Sequence, residues 1–384
     1  MGGLNRIQEH GKVKGKELEI VYPGRIGLQQ RVLPAYRAPF FDRLAEACQG
    51  GMSVFAGKAR SEEAIQSTDR LEVAHYAMAR NLHLLGGPFY LCLQLGLVKW
   101  LEDWDPEILI LEANPRYLFN RVAIRWMKHR GRSVIGWGLG APTIRGPMAS
   151  LRRLVRENAL RRFDLLIAYS SLGAEQYRAI GIPKKCVLVA PNAVSPPPPP
   201  LPERAPLVNR PARLLFVGRL RERKRVDLLL RACAQLETTP DVWVVGDGPA
   251  RTMLERLARE IYPRTNFAGS QHGHALDWFF DKADLFVLPG TGGLAVQQAM
   301  AHGLPVIVAE GDGTQNDLVA SENGWLVPPT DLHALTETLR DALADPKRLQ
   351  KMGIKSHRLV SERYNIDTMV EVFMNAMHAI AGER

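Results

Sequence analysis

Cysteine is scarce: the chain has 384 residues and four cysteines, at positions 48, 92, 186 and 233. They stand too far apart for a CxxC knuckle or a short Cys/His cluster, which argues against a zinc ribbon and a disulfide scaffold. Long apolar runs are also missing. The most apolar stretch, Leu82 to Trp100, contains Gly86, Gly87, Pro88 and Gln94, so it makes a poor bilayer span and reads as a buried helix. The first twenty residues include several basic side chains but no apolar segment of secretory type, and a reduced, cytoplasmic protein is expected. No RNP-type strand, zinc finger or aromatic-interleaved basic strand is present, so nucleic acid is not an expected partner. What the chain does have is 46% apolar and 23% charged residues, the balance of a folded globular protein. Its length suits two domains. A formal charge of +10 implies a face that attracts phosphate.

The strongest composition break begins at Ser195-Pro-Pro-Pro-Pro-Pro-Leu-Pro, where proline removes backbone donors and favours extended geometry. This segment, 195–212, is the expected linker. It follows a tail at 1–17 and a first domain at 18–194. On both sides short apolar runs alternate with amphipathic segments, the pattern of α/β domains with parallel sheets. Expected strands in the first half are Leu18–Tyr22, Met52–Ala56, Ile108–Glu112, Ser133–Trp137, Leu165–Ala168 and Val187–Ala190. In the second half they are Arg213–Val217, Val242–Val245, Leu285–Leu288 and Pro305–Val308. Each of the latter leads into a glycine-bearing turn and a helical pattern. That unit leaves backbone N–H groups unpaired at the mouth of the sheet, where an anion can bind.

Four pieces of the second half carry chemistry together. Phe216-Val-Gly-Arg-Leu-Arg-Glu-Arg-Lys-Arg is a strand end, Gly218, and two cations, Arg219 and Lys224, spaced across a turn so that they could clamp a diphosphate. Val245-Gly-Asp-Gly-Pro places Gly246 and Asp247 at a second strand end. Leu288-Pro-Gly-Thr-Gly-Gly-Leu runs into Ala295-Val-Gln-Gln-Ala-Met-Ala-His-Gly-Leu-Pro-Val-Ile, so several amides could face a phosphate. Asn323-Gly-Trp-Leu-Val-Pro-Pro is a turn, a short strand and a proline stop.

In order and spacing, about residues 210–380 resemble the donor-binding half of family 4 (group 1) retaining glycosyltransferases of the GT-B fold. The resemblance implies two Rossmann-like parallel-sheet domains facing across a cleft. It also implies a second domain at 213–363 and a last helix, 364–384, packing back on the first domain. It implies transfer of a hexose from a nucleoside-diphosphate sugar to a hydroxyl of a lipid-linked or polysaccharide precursor, with retention and without a metal or other cofactor. Carried over, Arg219 and Lys224 stabilise the leaving diphosphate, while Thr291, Gly292, Gly293 and Leu294 form the backbone cradle for the donor. The family's usual glutamate pair is absent: those positions hold Gly290 and Gln298, and a third acid falls near Asn316 and Asp317. Gln298 can partly replace an acid as acceptor for ribose hydroxyls; glycine cannot. The loss leaves open a non-catalytic nucleotide-sugar binder or a GT-B-like sugar-nucleotide epimerase.

In the first half, the resemblance makes the loop after the first strand a border of donor and acceptor. Gly24 and Arg25 are candidates for the donor, Tyr36 and Arg37 for the acceptor. No counterpart of the family's histidine after the fourth strand is evident; Glu112, as a catalytic group, and Asn114, on the acceptor side, occupy that neighbourhood. Asp103-Trp-Asp105 spells a metal-binding pattern but precedes a strand, the wrong end for a ligand, and reads as a turn. His272 and His274 lack further ligands nearby and read as loop.

The charge is unevenly placed. Residues 1–205 hold 29 lysines and arginines against 18 acids, and residues 116–162 hold 12 against the single Glu157. Arg121, Arg125, Lys128 and Arg132 recur along one helix face. A second helix, Met148 to Arg162, sets Leu151, Leu154 and Val155 beside Arg152, Arg153 and Arg156. The segment reads either as a surface that lies on anionic lipid, at the inner face of the cell membrane, or as the solvated face of a basic protein.

Overall fold

The computed structural model describes residues 20–60, 63, 65–202, 207 and 210–382. The expected tail, the start of the expected strand Leu18–Tyr22 and parts of the linker lie outside them. Strands β1 (Ile26–Val32), β2 (Met52–Gly57) and β3 (His75–Met78) open the first domain. A hairpin of β4 (Arg80–Leu84) and β5 (Leu91–Leu95) follows. Four more strands complete the domain: β6 (Ile108–Glu112), β7 (Ser133–Gly138), β8 (Leu165–Ala168) and β9 (Val187–Val189). The order across the sheet is β3-β2-β1-β6-β7-β8-β9, and every pairing in it is parallel.

The second sheet is also parallel, built from β10 (Arg213–Val217), β11 (Asp241–Val245), β12 (Thr265–Gly269), β13 (Leu285–Leu288), β14 (Val306–Ala309) and β15 (Gly324–Val327). Its order is β12-β11-β10-β13-β14-β15. The strand order in each sheet reverses beside its first strand, and such a reversal opens a crevice at the carboxyl ends. Central strands such as Leu285–Leu288 are buried throughout, because helices cover both faces and an uninterrupted apolar run is what fits there.

Two expectations fail for local reasons. Tyr22 makes only an isolated bridge to Cys48, and the first strand begins four residues later. Leu82 to Trp100 is not a buried helix: Gly86 and Gly87 provide a turn, Gly87 at φ +54, and the chain reverses into the antiparallel β4–β5 pair. Only from Leu97 is it α-helical, in a helix that runs on to Trp104.

The domains are joined twice. The proline-rich segment leaves the first domain after Asn192. The helix Ile366–Gly382 then returns from the second, burying Met369, Phe373, Met374 and Met377 in the first domain's core beside Phe40 and Trp137. At the crossing, the Ile366 N–H donates to the Ser195 carbonyl at 2.9 Å, so the two connections are tied together.

Candidate active site

A cavity of about 350 Å³ lies between the domains. Its walls come from the carboxyl ends of strands in both sheets: the ends of β1, β6, β7, β8 and β9 on one side, and the loops after β13 and β14 on the other. The domains touch around it. Arg219 Nη1 donates to the Glu63 carbonyl (3.3 Å), the Ser171 N–H to Asp317 Oδ2 (2.7 Å), and Gln297 Nε2 to the Asn192 carbonyl (2.9 Å).

On the first-domain side, Arg37 is 6% exposed, with its guanidinium carbon 4.4 Å from the Trp137 ring centroid and 5.5 Å from that of Tyr169. The aromatic faces stabilise its charge. Its Nη1 is buried and has no hydrogen-bond partner, an unmet donor in a buried cation that lines the cavity. Tyr36 stands beside it, partly exposed. Glu112 ends β6 and lines the same cavity. Burial pushes its carboxyl up from the ordinary carboxylate range, against the pull of the Arg31 N–H donated to its Oε2 and the charges of Arg31 and Arg37. Arg31 is itself held by Glu63 at 3.0 Å.

The end of β1 is propped by buried amides. Gln29 Nε2 donates to Gln94 Oε1; Gln94 Nε2 donates to the Gln30 carbonyl and to Asn81 Oδ1, both at 3.0 Å; Asn81 Nδ2 donates to the Arg31 carbonyl at 2.7 Å. The β4–β5 hairpin therefore positions the cleft wall that carries Arg31 and Arg37.

On the second-domain side, Lys224 is buried, and its ammonium donates to the carbonyls of Thr291 (2.9 Å) and Gly292. Burial lowers its pKa to about 8. An ammonium has three donors, so these two carbonyls use two of them, and the loop they brace lines the cavity at Gly292, Gly293 and Leu294. Gly292 adopts φ +62, a conformation that suits glycine. Gly290 is forced for a different reason: a Cβ there would lie 2.3 Å from the Arg223 carbonyl oxygen. The backbone of 223–224 fills the space a glutamate side chain would need. Gly218 and Gly246 close the neighbouring loops, since a Cβ on Gly246 would meet the Gly218 oxygen at 2.0 Å.

Several residues read from the sequence sit elsewhere. Gly24 and Arg25 precede β1 and lie at the amino end of the sheet, where Arg25 packs on Trp104 and Gly24 on Glu107. They are not at the cleft; the loop that borders it is 33–37, after the true first strand. Arg219 and Lys224 do not converge as a free pair in this state, because each is already bonded to a carbonyl on a different side. Asp247 is near the same edge but accepts from the Gly248 N–H and Arg251, and it does not line the cavity. Gln298 is half-buried away from the cavity, and its neighbour Gln297 lines it instead. Asn114 faces a second cavity behind Tyr117. Asp105 ends its helix at φ +51 and pairs with Arg132, as befits a turn. Sequence reasoning missed Tyr169, Asp312 and Gln297, all of which line the cleft. Tyr169 and Asp312 each follow a strand expected from the sequence, a signal that could have found them.

Residues 201–358 match the family model described as glycosyl transferases group 1. Among curated proteins, the chain is 30% identical over 200 residues to the putative colanic acid biosynthesis glycosyltransferase WcaL of Escherichia coli, 48% of each chain. It spans about half the length of the curated relatives it matches. Two solved structures share the architecture over 93% of this chain, each with a TM-score of 0.70. They are the lipopolysaccharide outer core galactosyltransferase WaaB in apo form, at 18% identity and 99% of that chain, and Anabaena HepE in complex with UDP, at 16% identity and 100% of that chain. The fold is GT-B.

Proposed function

We propose that this chain is a retaining glycosyltransferase that moves a hexose from a nucleoside-diphosphate sugar to a hydroxyl of a lipid-linked or polysaccharide precursor. The group 1 match over the second domain supports the reaction class, and the relatives' roles in colanic acid and lipopolysaccharide synthesis support the acceptor class. UDP bound by a protein of the same fold supports the donor class. The observation that carries the reading is the cleft, where the 292–294 loop, held from behind by Lys224, faces Glu112 and the unpartnered Nη1 of Arg37 across about 350 Å³.

In this reading the donor's diphosphate lies on the 292–294 amides. The third N–H of Lys224 points to it, and Arg219 exchanges the Glu63 carbonyl for a phosphate oxygen. The bond from the anomeric carbon to the diphosphate oxygen breaks and the bond to the acceptor oxygen forms on the same face; the acceptor's proton leaves with the diphosphate. Glu112 gives the acceptor hydroxyl a hydrogen-bond partner. The barrier falls mainly through positioning and stabilisation of the leaving charge. Two cations and backbone amides meet that charge, so the reaction needs no metal.

No described helix is long and apolar enough to cross a membrane. The helix Ala149–Leu160 instead presents Leu151 and Leu154, 55% and 60% exposed, beside Arg152 and Arg153, a face that lies on anionic lipid at the cytoplasmic side.

The test is incubation of the pure protein with radiolabelled UDP- and GDP-sugars, with and without lipid-linked and saccharide acceptors. Transfer with retained configuration is expected. Binding without turnover across the panel overturns the enzyme reading in favour of a nucleotide-sugar binder, and conversion of donor without acceptor overturns it in favour of an epimerase.

A further inference from the structure

Behind the cleft lies a second cavity of about 170 Å³, between the helices Asn120–His129 and Ala149–Leu160 and closed at one end by Leu91 of β5. Tyr117 lines both cavities. The chain passes from one to the other within three residues: Glu112 faces the cleft, while Ala113 and Asn114 face the second cavity. Its lining is largely carbon, from Leu91, Ile124, Val155, Leu160 and Phe163, and its only charged side chains are Arg121 and Arg162. Arg121 makes no ion pair among the described residues, and Arg162 bonds only the neutral Asn158 side chain. An apolar hollow with two uncompensated guanidinium groups matches a ligand that is an anion joined to hydrocarbon.

The surroundings continue the same chemistry outward. Leu118 just before one helix and Val122 on it, and Met148, Leu151 and Leu154 near the other, are exposed around it. Leu85, 71% exposed, and Phe89 form the tip of the β4–β5 hairpin, and the Arg152 guanidinium lies 6.0 Å from the Phe89 ring. The volume is below that of a complete ligand pocket, so it accommodates only a short length of chain, with the rest running out along these side chains.

We propose that this cavity binds the phosphate and the first hydrocarbon units of a lipid-linked acceptor, whose sugar hydroxyl then passes Tyr117 to reach Glu112 in the cleft. The proposal rests on the glycosyltransferase reading and narrows its acceptor to a phosphate ester of an apolar chain. Arg121 and Arg162 hold the phosphate, and the exposed leucines keep the remaining chain in the bilayer.

Titration calorimetry on the full chain with farnesyl phosphate, farnesol, inorganic phosphate and UDP tests it. Farnesyl phosphate is expected to bind at least about tenfold more tightly than farnesol or phosphate alone. Ala159→Phe, which fills the cavity from a half-buried position, and Arg121→Glu, at an exposed one, are each expected to weaken it about tenfold or more while UDP binding stays unchanged. Farnesyl phosphate that fails to bind, binds no better than its two parts, or binds both variants as it binds the parent overturns the proposal. If Ala159→Phe does not fold, Arg121→Glu alone decides. Loss of UDP binding in the parent protein itself would instead count against the glycosyltransferase reading.

Discussion

Lys224 is held between two carbonyls in a buried setting, and the cost of keeping it charged there is why its pKa drops from 10.5 to about 8. The consequences for stability and binding run in opposite directions. Between about pH 8 and 10.5 the unfolded chain holds more protons than the folded one, so the apo protein gains stability as pH rises through that window, on the order of 3 kcal/mol in total. In the proposed donor site the lost charge no longer meets a diphosphate, so donor affinity is expected to fall above about pH 8. Calorimetric titration of UDP at pH 7 and 9, beside urea melts at the same pH values, should show both trends, and Lys224→Met should flatten both. Residue identity along the chain nominated Lys224 with Arg219 after a strand, and Arg37 with Arg25 in a loop, without separating Arg37, which lines the cleft, from Arg25, which packs on Trp104 at the other end of the sheet. It did not reveal why Gly290 is a glycine. The obstacle is the backbone of 223–224, distant in sequence and adjacent only through the β10–β13 pairing. Nor did it separate Gln297 from Gln298: adjacent residues on a helix point about 100° apart, and which one meets the cleft depends on where the helix begins.

Elements were legible where burial is complete and ambiguous where it is partial. Strands β8 and β13 are unbroken apolar runs, and β6 is one up to its terminal Glu112, the mark of strands covered on both faces. β3 and β12 sit at sheet edges, half-exposed, with sequences such as His75-Tyr-Ala-Met that carry no run. The β4–β5 hairpin was hidden because leucine dominates both strands, so periodicity alone favoured a helix; Gly86, Gly87 and the buried Gln94 were the contrary signals. That glutamine holds the amide network behind β1. Gln94→Leu should strand the side chains of Gln29 and Asn81 and cost about 1–3 kcal/mol, read as a lower urea midpoint. Because Arg31 lies at the end of the propped strand and Arg37 follows it, the same variant should lose transfer activity by a larger factor than its stability loss explains. Intact activity would show that the hairpin supports the fold without positioning the cleft.

For the whole molecule, the two-domain plan was visible in the proline break and in the repeated strand, glycine turn and helix. The distribution of charge was visible too, although pairing alters its meaning. Lys128 is bound to Asp164 and Arg132 to Asp105, and Arg156 is buried, so the free basic face is smaller than the count over 116–162 suggests. The returning helix Ile366–Gly382 belongs energetically to the first domain. Phe373 is fully buried, its ring 5.2 Å from Phe40 and 5.1 Å from Trp137. Phe373→Ala should cost about 3–5 kcal/mol and lower the urea midpoint of the first domain. A midpoint equal to the parent's would show that the helix only rests on that domain.

That helix also sets an order of events during synthesis. The second domain's core draws only on residues 214–360, whereas the first domain's core needs residues up to 380. The half of the protein made first is therefore the half finished last. Throughout translation of the second domain, the groove awaiting Met369, Phe373 and Met377 stays open to water, and the nascent chain carries an exposed apolar slot until that helix has emerged and docked.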